Sequence, residues 1–205
     1  MMSSRSTSTR ERILAAAREL IHRKGLRATS ITDLLEAADI QRGTLYHYFS
    51  GKHEVAMAML QWTEEEFLAF LDRSLDGATP RDRLYGFFDA AYRMNNERGF
   101  VGGCLFGNLA LEGSDTDPEL ESAVTEVFDR WCGRLERVIE DGQQCGQFRS
   151  DLPSEVLARH VVMVIEGGLM QARLRKDGQV FSQSIQCIKA FLEGNTERDT
   201  EQTNA

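Results

Sequence analysis

The chain has 205 residues, of which 41% are hydrophobic and 27% charged, with 3 prolines; this is the composition of a compact helical protein, not of a disordered or collagen-like chain. No apolar run approaches the ~18–20 residues of a membrane span, residues 1–12 lack the apolar stretch of a secretory leader, and the 4 cysteines show no C-x-x-C pairing, so a cytoplasmic, reduced protein with no membrane segment, disulfide scaffold, metal site or other cofactor is expected. The formal charge of −8 hides a division: residues 1–53 hold nine Lys and Arg against five acids, while the remainder is strongly acidic, as when one end of a chain approaches phosphates and the other does not.

Helical periodicity at Ile13, Leu14, Ala17, Leu20 and Ile21 predicts a first amphipathic helix, closed by Gly25 after Arg23 and Lys24. Thr29 and Ser30 are both N-cap types, Asp33 stands in the first turn of the next helix, and Ile31, Leu34, Leu35 and Ala38 give it a short apolar stripe. After Asp39-Ile40 a third short helix is predicted from Gln41 to Phe49, broken at Ser50-Gly51. Two short helices joined by about three residues, after a longer one, read as helix-turn-helix. A long helix follows from Lys52 to Leu75, and Pro80 opens another that reaches Gly99. Gly102-Gly103 precede a short helix from Cys104 to Leu111, and Asp117-Pro118 start a long one to about Gly142. Pro153 initiates a helix to about Lys176, and the last runs from about Val180 to Leu192. The expected fold is all-α with about nine helices, no strand alternation and no repeat. It comprises a helix-turn-helix domain over 8–53, a larger helical domain over 54–194 and a polar, disordered tail over 195–205.

In a helix-turn-helix one face of the second helix enters a major groove about 12 Å wide, so its exposed side chains must be compact hydrogen-bonders or flat rings. Arg42, Thr44, His47 and Tyr48 meet that need, Leu45 and Phe49 face inward, and Gly43 keeps the helix start slim. Backbone N–H groups at that start and at the start of the next helix, where Lys52 adds a charge, face phosphate. The bland alternative is a surface helix that is rich in Tyr and His by chance.

The run Thr29-Ser30-Ile31 through Leu34-Leu35, then Arg42-Gly43-Thr44-Leu45-Tyr46-His47-Tyr48-Phe49, then Gly51-Lys52, resembles the amino-terminal DNA-binding domain of the TetR-type transcriptional regulators. The resemblance covers about residues 10–60. It implies that Thr29 or Ser30, Tyr46 and Lys52 hold phosphates, and that Arg42, Thr44, His47 and Tyr48 meet phosphate or base edges, with Gln41 and Gly43 in the same surface. It further implies that 54–194 binds an effector and dimerises. The turn residue that is commonly glycine in the family is Asp39 here, one of the few non-glycine types that tolerate a left-handed conformation. Dimerisation also follows physically, because two short helices about one DNA turn (~34 Å) apart bind a palindrome with combined affinity.

In the segment Gly102-Gly103-Cys104-Leu105-Phe106-Gly107-Asn108-Leu109-Ala110-Leu111-Glu112, Cys104 falls at a helix N-terminus, where the dipole and unpaired N–H groups favour thiolate. Asn108, one turn on, shares its face and is a candidate ligand contact. A small buried filler is the other reading of Cys104. This segment, with Glu166-Gly167-Gly168-Leu169-Met170-Gln171-Ala172-Arg173, is similar to a branch of the TetR family that includes repressors answering to electrophiles, acrylate-like acids or flavonoids. In its thiol-sensing members a cysteine at the place of Cys104 responds to electrophiles or oxidants. A lysine that partners the oxidised cysteine in some of them is replaced by Arg173, whose protonated guanidinium is poor at forming an S–N link but able to hold a thiolate or a carboxylate.

Arg159, Glu166 and Arg173 recur every seven residues, with Met163 and Met170 between them and Gly167-Gly168 permitting close helix approach. That helix is either a dimer interface or a pocket wall. Phe106, Phe128, Trp131, Met163 and Met170 either line a ligand cavity or form core. The expected function is therefore a dimeric repressor and not an enzyme, released from palindromic double-stranded operator DNA by a small molecule or electrophile, with Cys104 the candidate sensor. The alternatives are a non-covalent ligand with an inert Cys104, or a thiol-dependent enzyme. The latter lacks an evident base, since His22, His47 and His53 lie in the DNA-reading portion and His160 has no sequence link to Cys104.

Overall fold

Nine α-helices and no strand occur among the residues described by the computed structural model, 8–194. They are α1 (Thr9–Lys24), α2 (Ile31–Ala38), α3 (Arg42–Tyr48), α4 (Lys52–Ser74), α5 (Pro80–Glu97), α6 (Leu105–Gly113), α7 (Pro118–Gln144), α8 (Ser154–Arg175) and α9 (Gly178–Glu193). The all-α architecture matches the expectation helix for helix, with ends displaced by a few residues. The tail expected over 195–205 lies outside the described residues. Contacts divide the chain into two compact units, one reaching Phe67 and taking in Cys104–Thr125, the other formed by Leu68–Gly103 and the chain from Glu126 onward. Packing thus groups α6 and the first turns of α7 with the helix-turn-helix, a partition that charge and periodicity do not suggest.

In the first unit each short helix carries its own start signal. Ser8 and Glu11 form a reciprocal capping box on α1, and Ser30 and Asp33 form another on α2. Asp39 ends α2 in the left-handed conformation, φ 50° and ψ 59°, as its residue type allows. The core joins Ile13, Leu14, Ala17 and Ile21 of α1 to Leu34 of α2, Leu45 of α3, and Val55, Ala56 and Met59 of α4, all essentially buried. The Arg18 guanidinium, also paired with Glu66, lies 4.7 Å from the Trp62 ring centroid and covers the outer side of α4. Gly113 closes α6 against Leu120, where a Cβ would strike that side chain.

In the second unit Thr79 caps α5 with Pro80 at its first position, and Asp177 caps α9. The core is aromatic: Phe87 meets Trp131 edge-on at 6.4 Å, Trp131 stacks on Phe128 at 5.9 Å, and Phe181 stacks on Tyr92 at 6.5 Å. Phe100, at φ 55°, turns into that cluster, and Gly178 must lack a side chain because a Cβ there would collide with the Phe100 ring. α8 and α9 pack along one another as an antiparallel hairpin, joined through Lys176 in the left-handed conformation. No helix among the described residues is long and apolar enough to cross a membrane.

Candidate nucleic-acid interface and sensing segment

α3 has only seven residues, too few to be stable alone in water, so it is held by what it buries. Leu45 is fully enclosed and Phe49 nearly so, which turns the remaining positions outward. Gln41, Arg42, Gly43, Tyr46, His47 and Tyr48 are exposed, and Thr44 is half-buried. The His47 and Tyr48 rings meet edge to face at 5.0 Å, which stiffens the far end of the helix. A Cβ built on Gly43 meets nothing within 4 Å. The protein's own packing therefore sets no limit on the size of that residue. The outward face is polar, aromatic and free of acids, as the sequence predicts.

Of the expected phosphate ligands, Thr29 faces inward and Lys52 turns its ammonium toward backbone carbonyls. Thr29 is 1% exposed and its hydroxyl donates to the Gly25 carbonyl at 2.7 Å, so of the two N-cap types only Ser30 reaches the surface. Ser30 in turn donates to Asp33 at 2.7 Å while accepting the Asp33 N–H at 3.1 Å. The Lys24 ammonium, 2.8 Å from the Asp33 carboxylate, and these Ser30 bonds hold that carboxyl well below the usual range. Lys52 Nζ donates to the carbonyl oxygens of Leu26 and Arg27, at 3.1 and 3.5 Å, and so braces the α1–α2 turn. A long flexible side chain gives no sequence signal of that choice.

Three arginines whose charge is visible in the sequence, but whose place is not, lie close to the reading helices. Arg10 lies 5.6 Å from the centroid of the Phe49 ring. Arg12 donates to the carbonyls of Ala38 and Asp39, at 2.5 and 3.1 Å, satisfying the end of α2 at the turn. Arg27 stands in the α1–α2 turn and approaches Thr116 Oγ1 at 3.5 Å.

Of the expected sensing residues, Cys104, Phe106 and Asn108 belong to the first unit, and Trp131, Met163, Glu166, Met170 and Arg173 to the second. Cys104 is the N-cap of α6: its sulfur accepts the Gly107 N–H at 3.5 Å, and its carbonyl accepts the Asn108 N–H at 3.0 Å. Phe106 and Trp131 are buried core residues of their units. Met163 and Met170, 66% and 57% exposed, face outward on α8. Period seven keeps them on one stripe with Val156, and on α8 that stripe is the outer one. Glu166 is half-buried on the same helix. Arg173 passes Gly103, whose φ of +70° and close approach to the Arg173 side chain both favour glycine. The remaining thiols are all free, and burial pushes the Cys132 thiol up.

Two family models match the chain: that of the bacterial regulatory proteins of the tetR family over residues 13–59, and that of the tetracyclin repressor-like C-terminal domain over residues 80–188, more than half of the sequence. The chain belongs to the TetR family. It is a TetR-family DNA-binding transcriptional regulator, and the helix-turn-helix described above is the family's amino-terminal domain. It is 29% identical over 164 residues to the transcriptional regulator AcuR of Cereibacter sphaeroides, covering 79% of this chain and 75% of that protein. A crystal structure of a regulatory protein TetR from Rhodobacter sphaeroides matches it with a TM-score of 0.85 at 26% identity, over 90% of this chain and 98% of that one. The repressor NemR of Escherichia coli is 23% identical over 191 residues, 90% of this chain and 94% of that protein. The crystal structure of its reduced form matches with a TM-score of 0.80 over 90% of this chain and 97% of that chain, a likeness of fold.

Proposed function

We propose that this TetR-family regulator is a repressor that binds palindromic duplex DNA as a homodimer and leaves it when a small molecule or electrophile engages the part beyond residue 53. In this reading Ser30, Gln41, Arg42, Gly43, Thr44, Tyr46, His47 and Tyr48 form the DNA face, with Thr29 and Lys52 acting from behind it by fixing the turn that precedes α2. The outward Met163 and Met170 stripe of α8 suits a second copy of the chain, since large apolar side chains on a helix face are stable in water chiefly when covered. The family relation supports the DNA-reading half. The branch resemblance, together with the likeness to NemR, itself a repressor, supports the remainder.

The observation that carries the sensing half is the position of Cys104, whose sulfur faces the N-terminal N–H groups of α6 and takes the one from Gly107. An electrophile that alkylates this sulfur removes that acceptor and inserts bulk at the first turn of the helix. The test is N-ethylmaleimide added to the protein–duplex complex. Wild-type protein releases the duplex and Cys104→Ser does not; equal release by both contradicts covalent sensing through Cys104. A second reading, favoured by the guanidinium of Arg173 beside Gly103, has a carboxylate ligand bound without covalent chemistry. It predicts release by small acids that persists in Cys104→Ser and is lost in Arg173→Leu.

A further inference from the structure

We propose that Glu112, on α6 and outside the helix-turn-helix, is a positioning residue for DNA recognition: it holds the α1–α2 turn that leads into the two reading helices. The proposal rests on the reading of α3 as the DNA-contacting helix. Glu112 Oε2 accepts the backbone N–H of Arg27 at 2.9 Å. Its carboxylate also lies over Gly25, where φ is +90° and an added Cβ would strike it. The turn is gripped from its opposite side as well, by Lys52 Nζ on the Leu26 and Arg27 carbonyls. Within the turn, the Thr29 hydroxyl bonds the Gly25 carbonyl, and Ser30 immediately begins α2.

The N–H side of the turn is thus fixed by α6 and its C=O side by α4, each through one ionic side chain. Backbone polar groups of a turn must find partners or water. Here the choice of partner fixes where the turn lies, and with it the angle at which α2 and α3 leave α1. The carboxylate is not placed there by the helix dipole, because the C-terminal end of α1 is the negative end. Its seat is set by the Arg27 N–H and by the space that Gly25 leaves. A shorter acid in the same place cannot reach, since a bond of 2.9 Å does not survive withdrawal by one methylene.

Such a role shows in the geometry of recognition rather than in overall binding, because half-site spacing is a geometric demand. The experiment uses the full chain and a palindromic duplex selected by the wild-type protein from a random-sequence pool. Affinity is measured on that duplex, on the same half-sites with a lengthened spacer, and on a random duplex, alongside thermal unfolding. Glu112→Gln keeps an oxygen that accepts the Arg27 N–H, and should stay within about twofold of wild type on every duplex. Glu112→Asp keeps the charge and loses the reach. It should lose about tenfold on the selected duplex, become nearly indifferent to spacer length and leave binding to the random duplex unchanged. Glu112→Ala should behave as Glu112→Asp does, which keeps the test open should either variant unfold. Wild-type spacer preference in Glu112→Asp overturns the proposal, as does an equal loss on all three duplexes accompanied by a lowered melting temperature. A wild-type protein that selects no duplex overturns the DNA-reading proposal itself, and this is seen before any variant is made.

Discussion

Gly43 shows how a single residue separates folding from function in this chain. It lies in the first turn of α3, where glycine costs helix stability, and the space around its missing Cβ is empty. A residue that weakens its own helix without relieving any internal contact fits a surface that another molecule must approach closely. Gly43→Ala should therefore melt at the wild-type temperature or above it, by up to about 1 kcal/mol of stability, and bind duplex DNA more weakly. Thermal unfolding and duplex titration of the same preparation check this, and unchanged binding contradicts it. Other single positions differ in how far they can be read from sequence. Asp39 is legible, since few residue types accept a left-handed backbone and one is needed there. Thr29 and Ser30 are not separable, because both are N-cap types and only burial tells which hydroxyl turns inward. Lys52 escapes for a similar reason: its charge is visible in the sequence, but the direction of four methylenes is not.

At the scale of the element, caps and apolar periodicity account for nearly every helix. Pro80 and Pro118 open α5 and α7 and the left-handed Lys176 ends α8, so breaks in the pattern mark real boundaries. α2 illustrates how much such a short helix depends on its first turn. The Ser30–Asp33 box satisfies its orphan N–H groups and places a carboxylate at the positive end of the dipole, with Lys24 bound outside. Since the folded chain holds the Asp33 carboxyl below its unfolded value, the resulting stability is present above about pH 4 and is lost as pH falls toward the lowered folded value. Urea unfolding should therefore show wild type losing stability between about pH 4 and pH 2 more steeply than Asp33→Asn does, with the variant less stable at neutral pH. Identical slopes would mean that the box contributes nothing to the folded state. The stripe on α8 is legible as periodicity only. Arg159, Met163, Glu166, Met170 and Arg173 share a helix face whatever covers it, and the decision between core, pocket wall and outer surface belongs to tertiary packing.

For the whole molecule, the proposed regulation requires that two conformations of a dimer differ in their fit to DNA. An effector that swings occupancy from 99:1 to 1:99 must prefer one of them by about 5.5 kcal/mol, and two sites in a dimer make this attainable with modest affinity each. The charge count locates the reading head within residues 1–53, but it cannot foresee that α6 and the start of α7 pack with it, because contacts between distant segments leave no local periodicity. Glu112 is of that kind: nothing near it in sequence points to the turn at Arg27 that it holds. The proposed sensing residues are the least legible, since a thiol at a helix start and an arginine beside a glycine each have structural roles. The central claim, a symmetric pair of reading helices in the major groove, is tested most directly by sedimentation velocity of the full chain with a selected palindromic duplex at low ionic strength. The account predicts a complex of two chains per duplex whose affinity falls steeply with added salt. A monomeric chain that sediments apart from the duplex would contradict it.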